Sequence, residues 1–83
     1  MFYKVRRVQA RPNHELLVSF MNGEEKIYHV APLVQKWKSF EQLLSTSGLF
    51  ECVKVDMGGY GISWNDDLDL SCNELYHNGV SVV

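Results

Sequence analysis

The chain has two cysteines and no Cys-x-x-Cys pair, no apolar run near the roughly 20 residues that cross a bilayer, and no lysine or arginine after Lys54. Two thiols in 83 residues make no disulfide framework. The start, Met1-Phe2-Tyr3-Lys4-Val5-Arg6-Arg7, puts charges where a leader peptide would be apolar. The expectation is a soluble, cytoplasmic protein with reduced thiols and no membrane attachment. An excess of positive charge is also missing. Eight basic residues against ten acidic ones give a net charge of −2, which speaks against a general nucleic-acid binder. Repeats, low-complexity tracts and linkers are absent, so residues 1–83 read as a single compact domain.

What is present is enough to fold on: 46% hydrophobic residues, ten of the 83 aromatic. A chain of this length buries roughly 60–65% of the surface its unfolded form exposes, which supports one modest core. The charges are unevenly spread. Lys4, Arg6, Arg7 and Arg11 supply half the basic residues, whereas Asp56, Asp66, Asp67, Asp69 and Glu74 all follow Lys54. Such a dipolar chain is suited to dock a basic partner through its C-terminal half. Solvated turn charges that keep a small protein soluble would give the same pattern.

Tyr3 to Ala10 alternates loosely, with Tyr3, Val5 and Val8 inward and Lys4 and Arg6 outward, and ends near Arg11-Pro12-Asn13. His14 to Phe20 is a clearer strand, and Glu25 to Val30 returns after Met21-Asn22-Gly23. A two-residue Asn22-Gly23 loop would place Val18, Ile27 and His29 on one face. A three-residue loop with Gly23 left-handed instead groups Leu16, Val18 and Phe20 with Tyr28 and Val30, the cleaner apolar face, and burial should select it. From Pro32, the residues Leu33, Val34, Trp37, Phe40 and Leu44 fall at helical spacings, with Ser39 and Gln42 suggesting a capping box and a helix restarting at Phe40. Glu51 to Asp56 reads as a strand, with Val53 and Val55 on one side and Cys52 and Lys54 on the other. Gly58-Gly59 then turns it into a strand whose Tyr60, Ile62 and Trp64 face the core, and Leu68 to Leu70 follows. Ser71 with Glu74 is a second capping box, opening a helix that Asn78-Gly79 ends. The expected fold class is α+β: two antiparallel β-hairpins forming a small sheet, packed by short helices at about 33–45 and 72–77.

No set of residues has the spacing that chemistry requires. His14 and His29 lie on different strands, and Cys72 and His77 are five apart, off a common helical face, so no metal site is expected. Asn65-Asp66-Asp67-Leu68-Asp69 superficially resembles a calcium loop, but Leu70 and Tyr76 stand where its glycine and bidentate glutamate belong. Gly58-Gly59-Tyr60-Gly61 lacks phosphate-loop spacing and precedes a strand. Cys72 sits near a helix start, a position that lowers a thiol pKa, yet a small buried residue is the simpler reading. With no nucleophile–base pair, no catalytic residue, cofactor or enzyme activity is expected. The aromatics are many for so small a core, and exposed aromatics favour interfaces. The candidate interaction surface is Tyr60, Trp64, Asp66, Asp67, Asp69 and Tyr76, with the Asp66-Asp67 turn in solvent and Trp64 at least half buried as an anchor.

One ordered series extends over nearly the whole chain: Leu16-x-Val18-x-Phe20-x-Asn22-Gly23-Glu24, Val30-x-Pro32-Leu33, Phe40-x-x-Leu43, Phe50-x-x-Val53-x-Val55, Gly61-Ile62-x-Trp64-Asn65-Asp66, and Asp69-Leu70-Ser71-Cys72-Asn73-Glu74-Leu75-Tyr76. In it the chain resembles the family called domain of unknown function 2442. The resemblance implies a small bacterial α+β domain without established catalytic residues. Some members carry a helix-turn-helix domain after this one, and others are encoded beside a second small protein, as in toxin–antitoxin pairs. The sequence stops at Val83, so a DNA-binding domain is not expected here. The expected function is a non-catalytic protein-interaction module, the antitoxin-like half of a two-gene operon, whose partner is another small protein or a second copy. The alternative is a ligand-sensing regulatory domain with a pocket near Tyr60, Trp64 and Tyr76.

Overall fold

The loose alternation of the first strand has a cause at Arg6. In the computed structural model, which describes residues 1–82, strand β1 (Val5–Arg11) pairs antiparallel with β2 (Glu15–Phe20), and the register slips between Val5 and Arg7. The bulge lets Val5 share the inward face with Val8 and Ala10, which lie opposite Val18 and Leu16. A turn at Pro12–His14 with Asn13 and His14 at positive φ joins the two strands.

β2 runs through the three-residue loop Met21-Asn22-Gly23 into β3 (Glu25–His29), with Leu16 opposite Tyr28. Gly23 has φ +93°, and the Phe20 N–H donates to Glu24 O at 2.8 Å. The longer loop is therefore the one adopted. It buries Leu16, Val18, Phe20, Tyr28 and Val30 together.

The expected helix over 33–45 is broken into pieces. Two 3-10 turns, Ala31–Gln35 and Lys38–Phe40, are separated by an extended Trp37 (φ −132°, ψ 105°) and followed by the single turn α1 (Glu41–Ser45). Ser39 makes no cap hydrogen bond, so the first capping box does not form. A straight helix would have aligned Leu33, Trp37, Phe40 and Leu44. The break at Trp37 rotates the chain so that Leu33, Phe40 and Leu43 are buried, while Trp37 and Leu44 are exposed. The strand expected at Glu51 to Asp56 also shrinks. Phe50 enters the core through a 3-10 turn, Phe50–Cys52, which leaves only β4 (Lys54–Val55) as strand and Cys52 exposed in the turn.

A 3-10 turn at Met57–Gly59 leads to β5 (Gly61–Asn65), then β6 (Leu68–Ser71), α2 (Cys72–Asn78) and an unexpected β7 (Val80–Ser81), which pairs with β3. The class is α+β, but the strands form two sheets, ordered β1-β2-β3-β7 and β4-β5-β6. Helices of five and seven residues cannot cover a broad single sheet. Ile62, Trp64, Leu68 and Leu70 instead join Val5, Leu16, Val18 and Phe20 in one core. The two sheets meet closely at Gly59, where a Cβ would lie 2.5 Å from Val5 O.

The Ser71 hydroxyl caps α2 by accepting the Glu74 N–H at 3.1 Å. Glu74 does not complete the box. Its Oε2 accepts from the Tyr28 hydroxyl (2.8 Å) and Asn78 Nδ2 (3.0 Å), tying the helix to β3. Gly79 ends the helix in an extended conformation. Asn73 pins the N-terminal segment through Tyr3 N–H (3.0 Å) and Met1 O (2.9 Å).

Candidate functional site

The turn between β5 and β6 is closed by one side chain. Asn65 Oδ1 accepts the N–H groups of Asp67 (2.9 Å) and Leu68 (3.0 Å), which leaves Asp66 and Asp67 in solvent as expected. Along β6, Leu68 and Leu70 are buried and Asp69 between them is exposed, as strand alternation requires. Across from this strand lies the broken segment around Trp37. Between them runs an open groove of about 480 Å³, lined by Trp37, Ser39 and Phe40 on one wall and by Asp67, Asp69, Leu70, Ser71 and Glu74 on the other. Phe40 is buried, whereas Trp37 is 41% exposed and packs at 5.7 Å from it. Lys36 Nζ lies 5.1 Å from the centroid of the Trp37 ring, so this indole already faces a cation.

Three carboxylates line the groove and, among the described residues, no lysine, arginine or histidine does. Glu74 is held in place by Tyr28 and Asn78. Burial and the neighbouring Glu74 carboxylate push the Tyr28 hydroxyl well above the ordinary tyrosine range. The arrangement is chemically suited to receive a cation with apolar flanks. Among the described residues no hydrogen bond joins Ser39 or Ser71 to a histidine, and no three His, Cys, Asp or Glu side chains group as metal ligands. No helix of those residues is long and apolar enough to cross a membrane.

The surface anticipated as one unit is divided. Asp67 and Asp69 line the groove, whereas Asp66, next to Asp67 on the turn, is exposed and does not line it. Trp64 is 5% exposed and belongs to the core: it packs between Phe40 and Phe50, and its Nε1–H donates to Phe50 O at 3.0 Å. It is more than half buried, as expected, and its ring serves the core. Tyr60, expected to face the core, is 50% exposed because β5 begins only at Gly61 and the preceding 3-10 turn swings the ring out. There it meets Phe2 edge-on at 5.3 Å beneath Lys4. Tyr76 stacks on Tyr3 at 3.7 Å under Lys26, and its hydroxyl donates to Glu24. That bond lowers the Glu24 pKa and raises that of Tyr76. Tyr60, Trp64 and Tyr76 therefore line no common pocket with the groove. Trp37 and Glu74 were missed as site residues. Lys36 and Lys38, framing Trp37, were the available sign that it stands at the surface.

These features define a small α+β domain with an open groove, acidic on one wall and aromatic on the other. The family described as "Protein of unknown function (DUF2442)" matches residues 5–81, and the chain belongs to it. No curated protein and no solved structure matches the chain.

Proposed function

We propose that this chain is a non-catalytic protein-interaction module of bacterial type, acting in the cytoplasm as the antitoxin-like member of a two-gene pair. The observation that carries this reading is the groove between Trp37 and β6. Its three carboxylates and half-exposed indole match a lysine or arginine presented by a small basic partner. The cheapest test is the genetic neighbourhood, followed by a native pull-down. An isolated gene with no co-purifying protein removes the reading. Given a partner, Asp66→Lys with Asp67→Lys should slow association at least about tenfold at low salt, with the difference shrinking as salt rises. Folding stability should stay within about 0.5 kcal/mol of wild type, since both side chains are solvated. Binding at the wild-type rate would take the groove out of consideration.

A second reading, a ligand-sensing regulatory domain, is favoured by one observation: the groove volume of about 480 Å³ lies within the range of small-molecule sites. A metabolite screen by thermal shift decides it, because a ligand of the native state raises the melting temperature. A flat response across a broad library excludes this reading.

A further inference from the structure

Strand β2 carries apolar side chains on both faces. Leu16, Val18 and Phe20 enter the core, and Leu17 between them points the opposite way; in β3, Ile27 does the same beside Tyr28. Neither Leu17 nor Ile27 belongs to the core or packs against it. An antiparallel sheet with one face in water alternates apolar and polar residues, and the centre of this sheet does not. The strand registers arrange its outer face in three rows. One holds Arg11, Glu15 and His29, the next Gln9, Leu17, Ile27 and Val80, and the last Arg7, Ser19 and Glu25. Val82 extends the last row, its N–H donating to Glu25 O at 3.0 Å. Val80 and Val82 are 60% and 47% exposed. Helix α2 makes no bond to this face, because its bonds run to Tyr28 and Lys26, which point inward; Leu17 and Ile27 are partly exposed on it and Ser19 is buried.

We propose that the outer face of β1-β2-β3-β7 is the interface of a two-fold homodimer. Charge identifies the occupant. The face carries both signs in fixed columns: Arg7 and Arg11 on β1, Glu15 on β2, Glu25 and His29 on β3. A strongly basic or acidic partner would meet like charges, whereas a second copy can match them. A two-fold axis parallel to the strands, between β2 and β3, lays β2 of one copy on β3 of the other. Leu17 then meets the partner's Ile27, and Gln9 meets the partner's Val80. Glu15 meets the partner's His29, a pairing its own chain already makes at 3.8 Å. An axis across the strands would instead set Arg7 against Arg11 and is disfavoured by repulsion. With strands about 4.8 Å apart and about 3.3 Å per residue, three strands of at least five residues and the two-residue β7 give a footprint of at most roughly 19 by 17 Å. That is smaller than a standard interface, so the dimer is a weak, reversible one.

Sedimentation equilibrium of the full chain from about 1 to 300 µM tests this. The expected result is a reversible monomer–dimer transition that Leu17→Lys weakens at least about tenfold. Val80→Lys, at a site too exposed to affect folding, should weaken it as well, and it decides the matter if Leu17→Lys fails to fold. Asp67→Lys with Asp69→Lys, in the groove, should leave the dimer unchanged, which separates this interface from the groove reading. A wild-type chain that is monomeric throughout overturns the proposal and leaves the face to a different protein. A dimer that neither Leu17→Lys nor Val80→Lys alters overturns it by placing the contact elsewhere.

Discussion

Trp64 and Trp37 share a side chain, and their surroundings give them opposite roles. Trp64 lies where the β5–β6 register shifts between Ser63 and Asn65, and as the next residue but one after buried Ile62 it keeps the inward face of the strand, so its indole enters the core. There it packs on Phe40 and Phe50 and bonds the Phe50 carbonyl. Trp64→Ala removes a large apolar body and leaves that carbonyl without its donor, so it should cost about 3–5 kcal/mol. Trp37→Ala removes a half-exposed ring that donates no hydrogen bond and should cost less than Trp64→Ala, about 1–2 kcal/mol. Urea titrations of the two variants, read by far-ultraviolet circular dichroism, check the difference. Equal midpoints would mean that Trp64 is not the core residue described.

At the scale of elements, turns were legible and packing was not. The Met21-Asn22-Gly23 loop could be assigned because two registers competed and only one buried a consistent face. The Ser71 cap and the Asp66-Asp67 turn were equally local. The region 33–45 was not: its stripe satisfies a straight helix, and only the demand to bury Leu33, Phe40 and Leu43 together in the core breaks it at Trp37. β7 is two residues recruited by the edge of β3, with no signal of its own. The groove was half legible, since Asp67 and Asp69 came from one segment and Trp37 from a distant one. The same contrast between local and tertiary constraint can be measured at two glycines. Gly23 and Gly59 both have positive φ, but a Cβ at Gly23 meets nothing within 4 Å, whereas one at Gly59 meets Val5 O at 2.5 Å. Gly23→Ala should cost about 1 kcal/mol from backbone strain alone. Gly59→Ala should cost at least about 2 kcal/mol, because the two sheets must also move apart. Thermal melts that ranked the two the other way would contradict the close approach of β1 and the Met57–Gly59 turn.

Across the whole molecule, the two sheets are joined by the core and by polar links from β3 to the helix that follows β6: Lys26 Nζ donates to the Tyr76 carbonyl, and the Tyr28 hydroxyl donates to Glu74. Burial, and then the Glu74 carboxylate, hold that hydroxyl protonated well above the ordinary tyrosine pKa of 10.0. The native state therefore binds this proton more tightly than the unfolded chain does. Its contribution to stability is full below about pH 10 and is lost as the pH rises from there through the folded-state value. Tyr76, raised by its bond to Glu24, acts in the same direction but in solvent, where the effect is screened. Tyr28→Phe should lower stability at pH 7 by about 1.5 kcal/mol, as expected for a lost hydrogen bond to a charged group. Having no phenol at this position to titrate, it should also decline less steeply than wild type between pH 10 and pH 11. Urea titrations at pH 8, 9, 10 and 11 measure both effects. Parallel alkaline declines in the two proteins would show that the tie between the sheets does not depend on this proton.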